Sequence, residues 1–291
     1  MISCALVSGL ITMLMAFYTN LPFALSTGMG SNFILGAMIQ SQAISFGSAM
    51  LITLVSGIIF IALTVFGLRD LIVRVIPKNL KIAISASIGF FIAYLGFKNS
   101  GIGSFANGIA LGDITAPAVL LSIGGLLLMI VLNALNVKGA ILISILAITL
   151  IGIPCGVTQI SGVAAVPDFS DLSNVMLNFD LSNVFTASGL ILVFVCFFGD
   201  FFSTIGTVLA VAGRANMLDE NGNLPGIERP FLVDAIGTCV GALTGNTTVT
   251  TYVESTSGVE AGGRSGLTSL VTGVMFLLTV FLAPLFVAIP Y

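Results

Sequence analysis

Two acids stand in this chain where acids are costly. Glu254 lies in Thr247-Thr-Val-Thr-Thr-Tyr-Val-Glu-Ser255 and Asp200 in Val195-Cys-Phe-Phe-Gly-Asp-Phe-Phe-Ser-Thr204, both bounded by strongly apolar sequence. A charged side chain at the middle of a membrane helix costs about 2.5–3.5 kcal/mol on insertion scales, so each acid is expected to face the protein interior and to serve a function there. Ionised, a carboxylate accepts hydrogen bonds; protonated, it carries a proton. Ser203 and Thr207 follow Asp200 at i+3 and i+7 and make its helical face polar. Thr251 adds a hydroxyl in the same interruption as Glu254, and Asn32 a neutral amide in a second polar interruption of apolar sequence. The structural alternatives are a hydrogen-bonded bolt between helices for Asp200 and Asn32, and a local cap for Glu254. There is no His, and Cys4, Cys155, Cys196 and Cys239 are far apart, so metal-ligand spacing is absent. We read the cysteines as small buried apolar residues. No nucleophile–base pair is present, so neither an enzyme nor a cofactor is expected, and without His any coupled proton falls to a carboxylate.

The elements that must hold these residues are membrane spans. The 291 residues are 57% hydrophobic and only 7% charged, against about 25% charged in a soluble domain, which makes this an integral membrane protein with the lipid bilayer as its solvent. The net charge of −3 gives no reason to expect a nucleic-acid partner. Apolar runs of about 17–25 residues mark spans. They are read over 1–18, 43–67, 80–97, 116–134, 138–155, 185–212, 231–244 and 266–289, with interrupted crossings at 20–41 and 245–266. The first run has no basic residues before it and continues into more membrane sequence, so it reads as a span rather than a leader. All of the nine Lys and Arg residues except Lys98 then fall on one face, which is assigned as cytoplasmic.

Residues 69–82 read as an amphipathic surface piece, and 213–230 as a solvated connection dense in turn residues. Asp234 is read as opening the eighth span and complementing its N-terminus. Glu260 and Arg264, at i and i+4, are expected to pair.

The two interrupted crossings echo each other. Each follows a short apolar helix, begins at an asparagine (Asn20 or Asn246), and runs extended before glycine and a helical continuation. Pro22 forbids a regular helix there, and the Thr/Val/Tyr composition of 247–253 favours strand. Irregular polar backbone survives at membrane depth only when packed in protein or lining a wet cavity. A pair of such breaks at corresponding positions of two halves points to a transporter site at a repeat interface.

At these residues the sequence resembles the nucleobase/ascorbate transporter superfamily, in its AzgA-like branch of adenine/guanine/hypoxanthine permeases. The motifs are Asn20-Leu-Pro-Phe-Ala-Leu-Ser-Thr-Gly-Met-Gly-Ser-Asn32, Ile76-Pro-Lys-Asn-Leu-Lys-Ile82, Gly199-Asp-Phe-Phe-Ser-Thr-Ile-Gly-Thr207, Thr247-Thr-Val-Thr-Thr-Tyr-Val-Glu-Ser255 and Ala261-Gly-Gly-Arg-Ser-Gly-Leu267. The resemblance implies an all-α integral membrane protein with an inverted-repeat secondary transporter fold. Its two interrupted helices would carry short antiparallel strands, and about ten of the family's fourteen spans would be present. It implies a core of 1–68 and 185–289, a gate part of 69–155 and an extracytoplasmic loop of 156–184, with the remaining gate spans absent. It also implies a multi-pass protein of the inner cell membrane, as a monomer or a homodimer. The function implied is import of purine nucleobases by proton symport, with substrate at Glu254, Asp200, Asn32, Thr251 and Ser203 and the proton at Asp200 or Glu254. The alternatives are a transporter of the same fold for uracil or xanthine, and a non-transporting truncated remnant. Ser203 is a departure, because the family commonly has a second acid there, which bears on proton coupling and substrate preference.

Overall fold

Away from water a chain must bond its amides to itself, and these apolar runs do so as helices. The computed structural model describes residues 1–67, 77–104, 110–137, 139–159, 162, 164–167, 169–170, 172–287 and 289. Most of the amphipathic piece expected over 69–82 lies outside the described residues, as do Lys138, Asp168 and Asp171. The order is α1 (Ile2–Thr19), β1 (Leu25–Thr27), α2 (Met29–Gln40), α3 (Phe46–Val65), α4 (Lys78–Asn99), β2 (Gly103–Ser104), β3 (Ala110–Leu111), α5 (Pro117–Ala134) and α6 (Ala140–Gly152). Then follow α7 (Leu172–Val175), α8 (Ala187–Arg214), α9 (Glu228–Leu243), β4 (Val249–Thr251), α10 (Ser255–Glu260), α11 (Gly266–Thr279) and α12 (Ala283–Val287). Among the described residues α1, α3, α5 and α8 are long and apolar enough to cross a bilayer, and α6 and α11 are shorter apolar helices.

The chain divides into two compact units, Met1–Ile88 with Pro167–Val280, and Gly89–Val166 with Phe281–Tyr291. In the first, α1 packs along α11 and α9 packs along α3. Small residues set both crossings. A methyl added at Gly9 would lie 3.0 Å from the Gly273 carbonyl oxygen, and one at Gly57 would lie 2.8 Å from Cys239 Sγ. With lipid tails as apolar as leucine, close backbone approach of this kind is what drives helix association. Phe23, Phe60, Phe201 and Phe231 fill the core between these helices.

On the same unit the segment from Val175 to Asp180 lies across two helix ends. Leu177 N–H donates to the Leu243 carbonyl, where α9 ends. The Asp180 carboxylate accepts from Ser45, the N-cap of α3, at 2.5 Å and from Ser48 at 3.3 Å. Ser45 first, then the Ser182 N–H and hydroxyl, pull the Asp180 carboxyl down to about 2.

In the second unit α5 and α6 form an antiparallel pair joined by a short turn, with Gly125 against Ile148. β2 and β3 form a small hairpin that the sequence reading did not anticipate. The outward faces carry Leu120, Leu127, Ile130, Leu142 and Leu146, as helices facing hydrocarbon do.

Three expectations are corrected. The run 266–289 is two helices rather than one, because Pro284 can stand only in a first helical turn, so the chain breaks after α11 and restarts at Ala283. Cys155 is exposed and Cys4 and Cys239 are half-buried, leaving Cys196 as the buried thiol. The connection after α8 is not wholly solvated: Leu224 and Ile227 are buried in the core while Asp219 turns the chain by accepting from the N–H groups of Asn221 and Asn223.

Candidate functional site

The site is built on a two-stranded ribbon. Asn20 ends α1 in the left-handed conformation at φ 55°, and Pro22 follows, so the chain leaves the helix and runs extended. β1 pairs antiparallel with β4 in the register Leu25↔Thr251, Ser26↔Thr250, Thr27↔Val249. The pairing continues outward through Gly28 N–H to the Thr248 carbonyl at 2.7 Å and Tyr252 N–H to the Ala24 carbonyl at 2.9 Å. Gly28 is required at that end, since a methyl there would lie 2.9 Å from Thr248 Oγ1.

A lone ribbon has two open edges, which low-dielectric surroundings do not forgive. Helix side chains close both. On β1, the Thr12 hydroxyl of α1 accepts from Leu25 N–H at 3.0 Å and donates to the Leu25 carbonyl at 3.1 Å. On β4, Asp234 of α9 accepts from Thr251 N–H at 2.8 Å and from the Thr251 hydroxyl at 3.1 Å. The other Asp234 oxygen lies 2.7 Å from the Thr204 hydroxyl of α8, itself 3.1 Å from that of Thr250. Asp234 is therefore not the helix-opening residue expected. It sits well inside α9, fully buried, and holds β4.

The residues singled out from the sequence fall around this ribbon. Asp200 is buried on α8, where one carboxylate oxygen accepts from the Thr238 hydroxyl of α9 at 2.9 Å. Ser203 is half-buried one turn on. Thr251 is wholly buried, its N–H and hydroxyl committed to Asp234. Asn32 stands in the first turn of α2, exposed, its Oδ1 accepting from the Thr247 hydroxyl at 2.6 Å, and beside it Thr248 donates to Ser31 at 2.9 Å.

Glu254 occupies the N-cap position of α10 but its side chain caps nothing, and it is exposed. It opens on a cavity of about 230 Å³ between Pro22–Ala24, Tyr252–Gly258 and the Thr268–Phe276 stretch of α11. Across that gap Ser255 Oγ accepts from Ala24 N–H at 3.0 Å. Asp200, Asn32, Thr251 and Ser203 do not line this cavity. Thr251 is thus part of the ribbon and held there by Asp234, Asp200 is tied to it through Thr238 of α9, and Asn32 and Glu254 stand at its two ends. Glu260 pairs with Arg214 of α8 at 3.2 Å and not with Arg264, which donates to the Val259 and Gly263 carbonyls.

Two broken membrane segments paired through a polar ribbon are the centre of the first unit. The fold is shared with the transmembrane domain of a cyanobacterium bicarbonate transporter, BicA, at a TM-score of 0.64 and 16% identity, over 99% of this chain and 81% of that one. SLC26A9 aligns at a TM-score of 0.53 and 12% identity, over 97% of this chain and 52% of that one. The chain belongs to the permease family whose Xan_ur_permease model matches residues 1–291. Its relatives include the adenine permease AdeQ of Escherichia coli K12, 35% identical over 99% of this chain and 65% of that one. The guanine/hypoxanthine permease PbuO of Bacillus subtilis is 36% identical over 94% of this chain and 65% of that one. The permease MJ0326 of Methanocaldococcus jannaschii is 38% identical over all of this chain and 67% of its own length. The chain thus spans about two thirds of the length of these relatives.

Proposed function

We propose that this chain is the greater part of a secondary active transporter that imports purine nucleobases by proton symport. Support comes from the family and from relatives named as adenine and guanine/hypoxanthine permeases. The observation that carries the site assignment is Glu254: an exposed, uncapped carboxylate at the turn from β4 into α10, opening on a cavity against the other interrupted segment. Purines present N–H donors and ring acceptors along one edge, which a carboxylate and the hydroxyls that line the same cavity can match. Glu254 accepts a purine N–H, and Asp200, enclosed beside Thr238, holds the coupled proton with Ser203 on the same face, while Asn32, bonded to Thr247 at the other end of the ribbon, braces α2 there. Thr251 serves by keeping β4 in place.

We read the first unit as the moving core and the second as part of a gate, in an inverted repeat of about ten spans in the inner cell membrane, with homodimers formed in the bilayer. Exchange of partners supports the repeat: α1, before the first break, packs on α11, after the second, and α9, before the second break, packs on α3, after the first. The test is uptake of labelled hypoxanthine, guanine and adenine into proteoliposomes under an imposed proton gradient. Glu254→Gln is expected to abolish uptake, and wild-type uptake by that variant overturns the site. Uptake indifferent to the gradient overturns symport.

A further inference from the structure

Helices α8 and α9 carry the same spacing, an aspartate followed four residues later by a threonine: Asp200 and Thr204 on one, Asp234 and Thr238 on the other. Four residues return a helix to the same face, so each pair points one way. The two faces meet reciprocally. Thr204 donates to Asp234 at 2.7 Å and Thr238 to Asp200 at 2.9 Å. Both threonines also reach β4, where the Thr204 hydroxyl is 3.1 Å from that of Thr250 and the Thr238 hydroxyl 3.4 Å from the Val249 carbonyl.

The two halves of this clasp differ. Asp234 accepts from Thr251 and Thr204 together and is committed as a brace. Thr238 is fully buried and has one proton for two acceptors, the Asp200 carboxylate and the Val249 carbonyl. At 3.4 Å the second contact is longer than an ordinary O–H···O bond, so the proton goes to Asp200. A bond to a charged acceptor is about twice as strong as one to a neutral acceptor, and that advantage disappears when the carboxylate takes up a proton. The Val249 carbonyl, on the outer edge of β4 with the Thr251 N–H, then becomes the better acceptor. Closing from 3.4 Å to an ordinary length draws β4 and α9 together by about half an ångström. β4 ends at Thr251, and Tyr252 and Val253 carry the shift to Glu254.

Few other ionisable groups face this clasp. Cys196 on α8 and Cys239 on α9 lie within reach of the Asp200 charge, and Asp234 is held as described. Glu228 and Arg229 stand at the start of α9, away from Thr238. Of the other elements packed on α8, the α2, α3 and β4 segments carry no ionisable side chain, and Glu260 of α10 is paired with Arg214.

We propose that Thr238 couples the proton on Asp200 to the purine at Glu254, its hydroxyl bonding the ionised carboxylate and turning to the Val249 carbonyl when Asp200 is protonated. This deepens the reading of Asp200 as the proton site and Glu254 as the purine site, and rests on both. Coupling is reciprocal, so a proton that improves purine binding is itself held more tightly once purine is bound, as symport requires.

The experiment is binding of labelled hypoxanthine to the purified full chain, with affinity measured from acidic to alkaline buffer. In the wild type affinity should fall by about fivefold or more as Asp200 ionises. Thr238→Ser keeps the hydroxyl and the pH dependence. Thr238→Val still binds purine, but the dependence falls below about twofold. Asp200→Asn shows whether the titration has merely moved: it changes affinity in alkaline buffer with Thr238 in place and leaves it unchanged in the Thr238→Val protein. A folded Thr238→Val protein that binds nothing or keeps the wild-type pH dependence overturns the proposal, as does an Asp200→Asn effect of the same size in both backgrounds. Tighter wild-type binding in alkaline buffer reverses the sign and overturns it as well. If Thr238→Val does not fold, Thr238→Ala is judged by the same two measurements. A wild type that binds purine equally at every pH removes the symport reading, one that binds none removes the transport reading, and this inference falls with either.

Discussion

Removing the Asp234 carboxylate is expected to unpin β4, and the size of the effect follows from its bonds to Thr251 and Thr204. In Asp234→Ala the Thr251 N–H, fully buried, loses its acceptor at 2.8 Å, and the Thr251 hydroxyl loses the same oxygen at 3.1 Å. The Thr204 hydroxyl suffers less, because the Asp200 carbonyl already lies 2.9 Å away. An orphaned buried donor costs about 1–3 kcal/mol and a lost hydroxyl bond about 1, which together make about 2–4 kcal/mol. Asp234→Asn keeps Oδ1 for Thr251 and sets its NH₂ against Thr204, whose proton turns to Asp200, so it is expected to cost less than about 1 kcal/mol. At about 2–4 °C per kcal/mol, Asp234→Ala should unfold about 5–15 °C early and Asp234→Asn close to the wild type. There is no Trp, so a thiol-reactive dye reporting the exposure of buried Cys196 is the suitable readout in detergent. Equal damage from both variants, or none from Asp234→Ala, refutes the account of β4's outer edge.

Gly273→Ala places a methyl 2.6 Å from Met13 Cγ and 2.9 Å from the Gly9 carbonyl, and should cost about 1–3 kcal/mol in the same thermal assay. Gly36→Ala, with nothing within 4 Å, should be neutral or slightly stabilising. Because hydrogen bonds hold the Asp180 carboxyl at about 2, below its ordinary 3.8, its contribution to the 175–180 strap is full above the ordinary value and lost as pH falls toward 2. Pepsin cleavage within the strap should therefore rise over that window, and Asp180→Asn should flatten the rise. Arg214→Ala breaks an ion pair whose side chains are 68% and 54% exposed, and should shift stability by less than about 1 kcal/mol.

The breaks at 20–41 and 245–266 were legible because local chemistry made them: Pro22 cannot continue a helix, and β-branched residues fill 247–251. The role of Asp234 was missed because the apolar onset near residue 231 seemed to open the helix and made the acid look like a terminal charge. Pro230 was the available signal, since it marks a first helical turn and moves the start to Glu228. The Glu260–Arg214 pair joins two helices far apart in sequence, and no spacing rule finds such a contact. The expected Arg264 partner fails for a local reason, because α10 ends at Glu260 and Gly262-Gly263 follow, so the two residues do not share a helix. Thr12 was invisible as an edge cap, and Thr204 and Thr238 as partners of Asp234 and Asp200, because a threonine in an apolar helix reads the same whether it bonds its own backbone or a neighbouring element.

The ribbon explains why one acid is left for a ligand. Its inner edges pair with each other, and its outer edges are closed by Thr12 on β1 and by Asp234 on β4. Beyond the strands the two ends differ. The α2 end is pinned by side chains, through Thr247 to Asn32 and Thr248 to Ser31, whereas at the α10 end Ser255 Oγ and the Tyr252 N–H hold Ala24 and the Glu254 carboxylate has no hydrogen-bond partner among the described residues. A carboxylate that neither caps its helix nor braces its strand contributes nothing to the fold that a glutamine would not. Retaining charge there is worthwhile only if something arrives to be bound, so Glu254→Gln should leave thermal stability intact while removing purine binding. A variant that lost both together would place Glu254 in the scaffold with Asp234 instead.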